Sequence, residues 1–177
     1  TVRISFAGES LGQLPEIPAE IEPTPKLKWN YREDKGRVEV KFGKLLLRID
    51  KKNGGISFYT EKEMLLLSEN PSLPRQIANA AKNQTWTYFD WSKKEVLKAR
   101  GAVDQQWLDF KTTAKDISFG GKSKRPACVK SNSGYQILVP GGRRVMCCTI
   151  PMYGSYLYTE GEAQIDYFFI GGTLCEK

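Results

Sequence analysis

The chain has 177 residues, which is enough for one domain with a buried core but fewer than the about 250 residues of a typical (β/α)8 barrel. Hydrophobic residues make up 40% of it and charged residues 27%, and no apolar run approaches the roughly 18 residues of a membrane span. This composition is typical of a soluble globular domain and predicts no membrane partner. Histidine is absent, which excludes Ser-His-Asp and Cys-His catalytic sites and most zinc enzymes.

The net charge of +7 would permit binding to a polyanion such as nucleic acid. However, the basic residues are scattered along the chain, most of them have acidic neighbours, and no RNP, KH or helix-turn-helix pattern accompanies them. The charge therefore predicts a solvated basic surface and no nucleic-acid partner.

The four cysteines, Cys128, Cys147, Cys148 and Cys175, match neither a CxxC metal site nor a regular disulfide framework. We interpret them as small apolar residues packed inside a protein of a reducing compartment, which favours the cytoplasm, with a single disulfide as the alternative. Cys147 and Cys148 are adjacent, so on a strand they would point to opposite faces of the sheet. No metal site or cofactor is predicted.

The first 35 residues contain four prolines, at positions 15, 18, 23 and 25. Proline fixes φ and disfavours helix in the residue before it, so residues 1–35 are predicted to form an extended arm or an edge strand. The alternating segment 2–6 is the part that could be the edge strand. Residues 36–177 are predicted to be the folded domain.

From Arg37 the hydrophobic period becomes two, which predicts a strand over residues 37–42. A second strand carries Leu45, Leu47 and Ile49 towards the core, and residues 50–55 form a turn. A return strand starts at residue 56, and residues 64–67 are predicted to be a further buried strand. Together these elements predict an antiparallel meander.

The sequence predicts secondary structure less clearly between residues 70 and 100. Residues 77–81 could form at most one or two helical turns, and residues 85–91 are strand-like because of their aromatic and β-branched content. Ser92 and Glu95 match a capping box and Gly101 would suit a helix stop. A short helix over residues 93–100 is therefore predicted, with a strand as the alternative.

The last third of the chain is predicted to be rich in strands. Residues 107–110 form one, residues 119–126 an exposed loop, and residues 127–130 pair as a hairpin with residues 135–139. Further strands are predicted over residues 145–150, 156–158 and 165–170. Roughly ten short strands separated by turn signals predict an all-β, antiparallel β-sandwich with at most one or two short helices.

Two sets of side chains could carry function. Glycoside hydrolysis needs two facing carboxylates, but the sequence places no two of the candidates opposite each other. Aromatic rings can stack on sugars, although most of them are expected to pack in the core, and exposed ones are expected in residues 86–91 or 152–158. The carboxylate candidates are Asp90, Asp104, Asp109, Asp116, Glu160, Glu162 and Asp166. The aromatic candidates are Trp29, Tyr31, Trp86, Tyr88, Trp91, Trp107, Tyr153, Tyr156 and Tyr158.

Several segments resemble one enzyme family. Residues 38–49 and the following ISFY at 56–59 are similar to the first strands of the galactose-mutarotase-like N-terminal sandwich of glycoside hydrolase family 31. PACVKSNSGYQI at residues 126–137 is similar to the family's P-F-Y-x-S-x-x-G-Y-G-V hairpin. DYFFIGG at residues 166–172 nearly reproduces its closing D-Y-Y-F-I-x-G strand. The similarity covers residues 36–172.

The resemblance implies that a catalytic barrel of the same chain follows the sandwich and supplies two aspartates for retaining α-glycoside hydrolysis. Residues 36–177 are then a sandwich cut before that barrel, and no residue of this chain is assigned a catalytic role. The implied ligand is an α-glycoside carbohydrate, bound through the parent enzyme. In the family an aspartate of a w-N-x-D loop contacts the innermost sugar, and Asp116 stands at the matching distance before the hairpin. No Trp-Asn precedes Asp116, and Gln136 replaces a glycine of the hairpin.

Two other functions remain open on the sequence alone. A stand-alone carbohydrate-binding module would have a polar surface and its own groove lined by aromatic residues, whereas a domain that packs on a barrel would expose an apolar face. A mutarotase-like enzyme is the third hypothesis, and the absence of histidine counts against it.

Overall fold

The computed structural model describes residues 1–8, 12–19, 21, 27–78, 83–100, 107–110, 114–116, 126–141, 144–150 and 152–171, with the backbone alone for residues 100, 107–110 and 114–116. Sixteen β-strands and no helix lie within these residues. The strands are β1 (Val2–Phe6), β2 (Trp29–Glu33), β3 (Arg37–Phe42), β4 (Leu45–Asp50), β5 (Ile56–Thr60), β6 (Leu65–Ser68), β7 (Arg75–Ile77), β8 (Gln84–Tyr88), β9 (Leu97–Arg100), β10 (Trp107–Phe110), β11 (Ala114–Asp116), β12 (Ala127–Ser131), β13 (Tyr135–Val139), β14 (Arg144–Cys148), β15 (Tyr156–Glu160) and β16 (Ile165–Gly171). None of the residues in these ranges belongs to a helix that could cross a membrane.

The strands form three sheets in which every pairing between named strands is antiparallel. Sheet 1 has six strands in the order β1-β16-β13-β12-β9-β10. Sheet 2 has the order β11-β14-β15-β8-β7, and sheet 3 is the meander β2-β3-β4-β5-β6. A β-bridge between Glu69 and Phe89 joins the margins of sheets 2 and 3.

The core lies between sheet 1 on one side and sheets 2 and 3 on the other. Phe58 of sheet 3 stacks on Phe169 of sheet 1 with ring centroids 4.0 Å apart, and Tyr135 stacks on the same Phe169. Phe89, which follows β8 of sheet 2, meets Tyr167 of sheet 1 edge to face at 5.9 Å. One cluster of buried residues therefore includes side chains from all three sheets, which confirms the predicted antiparallel β-sandwich.

The predicted meander is confirmed as sheet 3. Leu45 and Leu47 are buried in the core and Ile49 packs against it, as the period of two predicted. The predicted strand at residues 64–67 exists as β6, but the prediction that all of it is buried was wrong. Leu67 is 2% exposed whereas Met64 and Leu65 are 61% and 56% exposed, because β6 is an edge strand of sheet 3 and Met64 lies in the turn before it.

The predicted helix over residues 93–100 is wrong, and the strand alternative is right. Ser92 and Glu95 do form a capping turn, in which the Ser92 amide donates to the Glu95 carboxylate at 3.2 Å. The chain then enters β9 because Leu97 and Ala99, two residues apart, are 2% and 0% exposed in the core. Tertiary burial at a period of two overrides the local helix signal.

Other predictions on this part of the chain have mixed outcomes. The strand at residues 107–110 and the β12–β13 hairpin are confirmed, whereas the strand predicted over residues 85–91 ends at Tyr88. Positions 79–81 of the possible helical turns, and positions 119–125 of the predicted loop, lie outside the described residues. Roughly ten strands is an underestimate, because several strands, such as β7 and β11, have only three residues.

The three described cysteines are buried and none of them is in a disulfide. As predicted, neighbouring residues Cys147 and Cys148 lie on opposite faces of β14: Cys147 belongs to the core between the sheets, whereas Cys148 pairs with Tyr156 on the outer face of sheet 2. Burial raises the pKa of the Cys147 thiol well above its usual value, which keeps it protonated.

Residues 1–35 contribute strands to two sheets. β1 is an edge strand of sheet 1, where the Arg3 guanidinium donates to the Asp166 carboxylate at 2.6 Å, and β2 is an edge strand of sheet 3. Arg3 also donates to the Pro15 carbonyl at 2.8 Å, and the Gly12 amide donates to Gln164 Oε1 at 2.9 Å. Part of the proline-rich segment thus packs on sheet 1. The domain boundary at residue 36 stays a prediction.

Candidate functional site

Asp116, the one residue that the resemblance assigned to sugar contact, is the last residue of β11 at the edge of sheet 2. Its backbone pairs with Met146 of β14, and Met146 pairs in turn with Tyr158 of β15. Tyr158 pairs with Trp86, so one register row across the sheet contains Asp116 and two of the aromatic candidates. The contact of Asp116 with a sugar stays a prediction.

Asp166, another carboxylate candidate, is held in an ion pair. Its side chain is 6% exposed, and it accepts hydrogen bonds from Arg3 and from the Ser5 hydroxyl, the latter at 2.9 Å. Asp90 is exposed. Asp104 lies outside the described residues, and Asp109 is described by its backbone alone in β10. Glu160 is the last residue of β15, and Glu162 lies between β15 and β16.

Glu69, which the sequence did not single out, is the most buried carboxylate in the described part of the chain. It accepts hydrogen bonds from the Ile56 amide at 2.8 Å, from Arg75 Nη2 at 2.5 Å and from the Tyr167 hydroxyl at 2.7 Å. Burial raises the pKa of Glu69 above its ordinary value, and these donors oppose that rise. Because its partners come from all three sheets, we interpret Glu69 as a structural anchor.

Glu95 is the centre of a second polar cluster. The hydroxyls of Tyr135 and Ser131 both donate to its carboxylate. The neighbouring Val96 amide donates to Asn132 Oδ1 at 2.9 Å, and the Asn132 amide donates back to the Val96 carbonyl. Burial raises the pKa of Tyr135, which keeps its hydroxyl a donor. These bonds hold the segment before β9 against the β12–β13 turn.

No group of three or more Cys, Asp or Glu side chains in the described ranges is arranged to hold a metal ion.

The most exposed aromatic pair lies on β2. Trp29 and Tyr31 are 66% and 63% exposed, and their ring centroids are 6.1 Å apart. They pair with Phe42 and Val40 of β3, which pack partly against the core, so the two rings continue the inner face of sheet 3 beyond the core. Leu27 is also exposed. We call Leu27, Trp29 and Tyr31 the β2 surface.

A groove of about 860 Å³ lies at one end of the sandwich. Its floor and walls are largely apolar and include Leu45, Met64 and Leu66, while Lys44, Lys62 and Glu61 bring charges of both signs to it. Thr60 of β5, Ser133 and Gly134 of the β12–β13 turn, and Gly171, the last residue of β16, also line it. We call it the end groove.

The end groove adjoins the β2 surface. Leu45 of the groove pairs with Phe42, and Phe42 pairs with Trp29, so one register row leads from the groove to the exposed ring. An ideal Cβ on Gly43, in the turn between β3 and β4, would lie 3.7 Å from Leu27 Cδ1. The two features thus form one continuous apolar area at the margin of sheet 3.

The outer face of sheet 2 carries four more aromatic rings. Trp86 packs against Tyr158 with centroids 5.1 Å apart, and Tyr88 meets Tyr156 edge to face at 5.6 Å. Tyr158 is buried and the other three are partly exposed. Exposed rings were expected in residues 86–91 or 152–158. Tyr153, at 66% exposure, confirms the second segment, whereas the rings in residues 86–91 are buried or only partly exposed. That expectation missed Trp29 and Tyr31, which lie on a strand.

No protein-family model and no curated protein sequence matches this chain. Solved structures do match it. A GH31 (glycoside hydrolase family 31) α-xylosidase from a soil metagenome, in complex with xylose, superposes with a TM-score of 0.69 over 96% of this chain and 28% of its own, at 16% identity. The GH31 dextranase of Flavobacterium johnsoniae has a TM-score of 0.65 over 81% of this chain and 18% of its own, also at 16% identity.

A cycloalternan-forming enzyme from Listeria monocytogenes gives a TM-score of 0.68 over 86% of this chain and 16% of its own, at 14% identity. The chain has the β-sandwich fold of a domain in GH31 enzymes. It spans 28% or less of the length of each of these three proteins.

The strands that carry the resemblance have a clear place in this GH31-type sandwich. β13 and β16 are neighbours in sheet 1, with Ile137 opposite Phe169, and both residues are fully buried. Gly171 ends β16 at the end groove. The sequence motifs therefore mark the centre of the core and the end of β16 at the end groove.

Proposed function

We propose that this chain is the non-catalytic N-terminal domain of a GH31 α-glycosidase, which packs on a (β/α)8 barrel and shapes the rim of its substrate site during retaining α-glycoside hydrolysis. The observation that carries the proposal is the match of 81% to 96% of this chain to between 16% and 28% of GH31 enzymes and of the cycloalternan-forming enzyme. A sandwich of this size leaves room in such proteins for a separate catalytic domain.

The apolar area at the margin of sheet 3 supports barrel packing. Exposed apolar patches of several hundred Å² are uncommon on isolated domains and mark interaction surfaces. Trp29, Tyr31 and Met64 are each more than 60% exposed. An aromatic side chain buries about 150–250 Å² when a partner covers it, so covering the two rings would remove a large apolar area from water. We propose that the barrel covers the β2 surface and the end groove, from which the chain continues after Gly171.

Asp116 is the proposed contact between this domain and the sugar. Its place at the edge of sheet 2 is compatible with that role, since an edge strand can approach a neighbouring domain.

The alternative function of the chain is a stand-alone carbohydrate-binding module, which would bind sugar without any barrel. The two functions differ in whether a catalytic barrel continues the chain after the sandwich.

The deciding experiment determines the coding sequence beyond Lys177. We expect it to continue into a barrel with two catalytic aspartates, and a stop codon directly after this domain would contradict the proposal. The 177-residue chain itself is expected to show no turnover of aryl α-glucosides or aryl α-xylosides. Clear activity of the purified chain would overturn its non-catalytic role.

Hydrogen exchange tests the proposed interface in the longer gene product. Backbone amides of β2 and of the turns around the end groove should exchange more slowly in the longer protein than in the 177-residue chain. The double variant Trp29→Ser/Tyr31→Ser should reduce this protection, whereas Tyr153→Ser, an equally exposed aromatic in another turn, is the matched control. Equal exchange of β2 in both proteins would contradict the interface.

A further inference from the structure

The outer face of sheet 2 has a composition that differs from the apolar area of sheet 3. Its two central register rows contain Gln76, Trp86, Tyr158, Met146 and Asp116 in one, and Tyr88, Tyr156, Cys148 and Ala114 in the other, with Asp116 and Ala114 described by their backbone alone. Apart from Met146 and Cys148, these described side chains are aromatic rings or a side-chain amide. Leucine, which lines the other area, is missing from the described side chains of both rows.

Polar groups are fixed at the edges of the rings. Gln84 Nε2 donates to the Tyr158 hydroxyl at 2.8 Å, and the Tyr88 hydroxyl donates to Gln76 Oε1 at 3.1 Å. A side-chain amide has two N–H donors and an acceptor oxygen, so each of these bonds uses only part of the capacity of its glutamine. The face therefore offers ring surface and neutral hydrogen-bonding groups side by side.

The rings are held in place before any ligand arrives. Each ring contacts its partner across neighbouring strands, β8 and β15, and successive rows along a strand are about 7 Å apart. Cross-strand aromatic pairs stabilise a sheet without any amide at the ring edges. The stability of the sheet therefore explains the rings but not the glutamines beside them. A rigid platform loses little conformational entropy when a ligand binds, which favours recognition.

We propose that the outer face of sheet 2 binds a neutral pyranoside chain, whose C–H faces stack on Trp86 and Tyr88 while its hydroxyls bond to Gln76 and Gln84. The chemistry indicates a saccharide because the described side chains of the two central rows combine rings with the amide of Gln76. Gln84 adds a second amide from the neighbouring row, which also holds Glu160 and Arg144. This site does not depend on the proposed barrel, since all its residues belong to one sheet of this domain.

Fluorine NMR of the 177-residue chain labelled with 5-fluorotryptophan tests the proposal directly. Its four tryptophans, Trp29, Trp86, Trp91 and Trp107, give separate signals that single Trp→Phe variants assign. Titration with isomaltotriose or maltotriose should shift the Trp86 signal saturably, with a dissociation constant of about 1 mM, and should leave the Trp29 signal unchanged. A shift of the Trp29 signal alone, or no shift up to roughly 10 mM, would overturn the proposal.

Variants separate recognition from folding. Gln76 is exposed, so Gln76→Ala should keep the thermal midpoint of the wild type while it weakens binding about tenfold, which corresponds to about 1.4 kcal/mol. Trp29→Phe is the matched control and should bind as the wild type does. If Gln76→Ala binds both trisaccharides with unchanged affinity, the face is an aromatic packing surface and not a sugar site.

Discussion

At the scale of single residues, the polar contacts of Glu69 link the three sheets. Its partners lie on β5, β7 and β16, and both Glu69 and Tyr167 are buried. Arg75 also donates to the Gly54 carbonyl at 3.0 Å and lies over the ring of Phe6. Loss of the carboxylate would leave a buried guanidinium without its counter-charge, which is among the costliest single changes in a core.

We therefore expect Glu69→Gln to lower the free energy of unfolding by about 3–5 kcal/mol, measured by urea denaturation. The Ile56 amide donates to Oε2 and the Tyr167 hydroxyl to Oε1, and Arg75 donates to both, so the amide of glutamine would place its N–H groups against Arg75 and one of the other two donors. Glu63→Gln is the matched control: Glu63 pairs with Arg48, but its side chain is 62% exposed, so the expected loss is about 0–1 kcal/mol. Equal losses in the two variants would contradict the anchoring role of Glu69.

Glu69 also shows why the candidate site could be predicted only in part. In the sequence it follows the apolar run of β6 and precedes Asn70 and Pro71, so it has the pattern of a solvated turn residue. Its burial results from contacts with β16, almost 100 positions later, and no local pattern encodes these contacts. Trp29 shows the opposite case: its aromatic character predicted burial, but the edge of sheet 3 extends beyond the core.

At the scale of elements, strands were predictable wherever side chains alternate between a core and a solvent face. The β3–β4–β5 meander has this pattern, with turn residues between the strands. The β12–β13 hairpin was predictable from its turn residues and apolar strands instead, because most side chains on both of its faces are buried. Prediction was wrong at residues 93–100, where a capping turn is followed by a strand. The arrangement of strands into three sheets is set by pairs distant in sequence, such as β1 with β16, and was beyond a local analysis.

The turn between β2 and β3 predicts a dependence of stability on pH. Asp34 Oδ1 accepts the backbone amides of Gly36 and Arg37 at 2.8 and 2.9 Å, and these bonds lower the pKa of Asp34 below its ordinary value of 3.8. A carboxyl with a lower pKa in the folded state stabilises the fold above pH 3.8, and this contribution is lost as the pH falls through the folded pKa.

Acid titration of the unfolding free energy measures this effect. Asp34→Asn should reduce the loss of stability below pH 3.8 relative to the wild type, because the amide does not titrate. The change should be small, since Asp34 is exposed. An unchanged acid slope in Asp34→Asn would show that this turn does not contribute to it.

The close approach of β16 to β4 gives a second prediction at this scale. An ideal Cβ on Gly171 would lie 2.6 Å from Leu45 Cδ2, so Gly171→Ala should cost about 1–3 kcal/mol of stability. The double variant Gly171→Ala/Leu45→Val should recover part of that loss, because it removes the clashing carbon. Gly36→Ala, whose nearest contact would be 3.8 Å, is the control and should cost less. If the losses of stability caused by Gly171→Ala and by Leu45→Val simply add in the double variant, the two side chains do not clash.

At the scale of the whole molecule, two apolar regions differ in how they are covered. Phe58 is fully buried and stacks on Phe169 between the sheets, whereas the β2 surface faces solvent along the same sheet. The core is complete without the β2 surface, since its cluster includes side chains from all three sheets. The exposed rings therefore contribute little to the stability of this chain by itself and are available to a partner.

This difference can be measured on the 177-residue chain. Trp29→Ser and Tyr31→Ser should change the free energy of unfolding by less than about 0.5 kcal/mol, because neither ring loses a buried contact on truncation. Phe58→Ala should cost about 3–5 kcal/mol, since it opens a cavity beside Phe169. Chemical denaturation of the three variants compares them directly. If Trp29→Ser proves as costly as Phe58→Ala, the β2 surface belongs to the core of the domain, and the barrel would have to pack elsewhere.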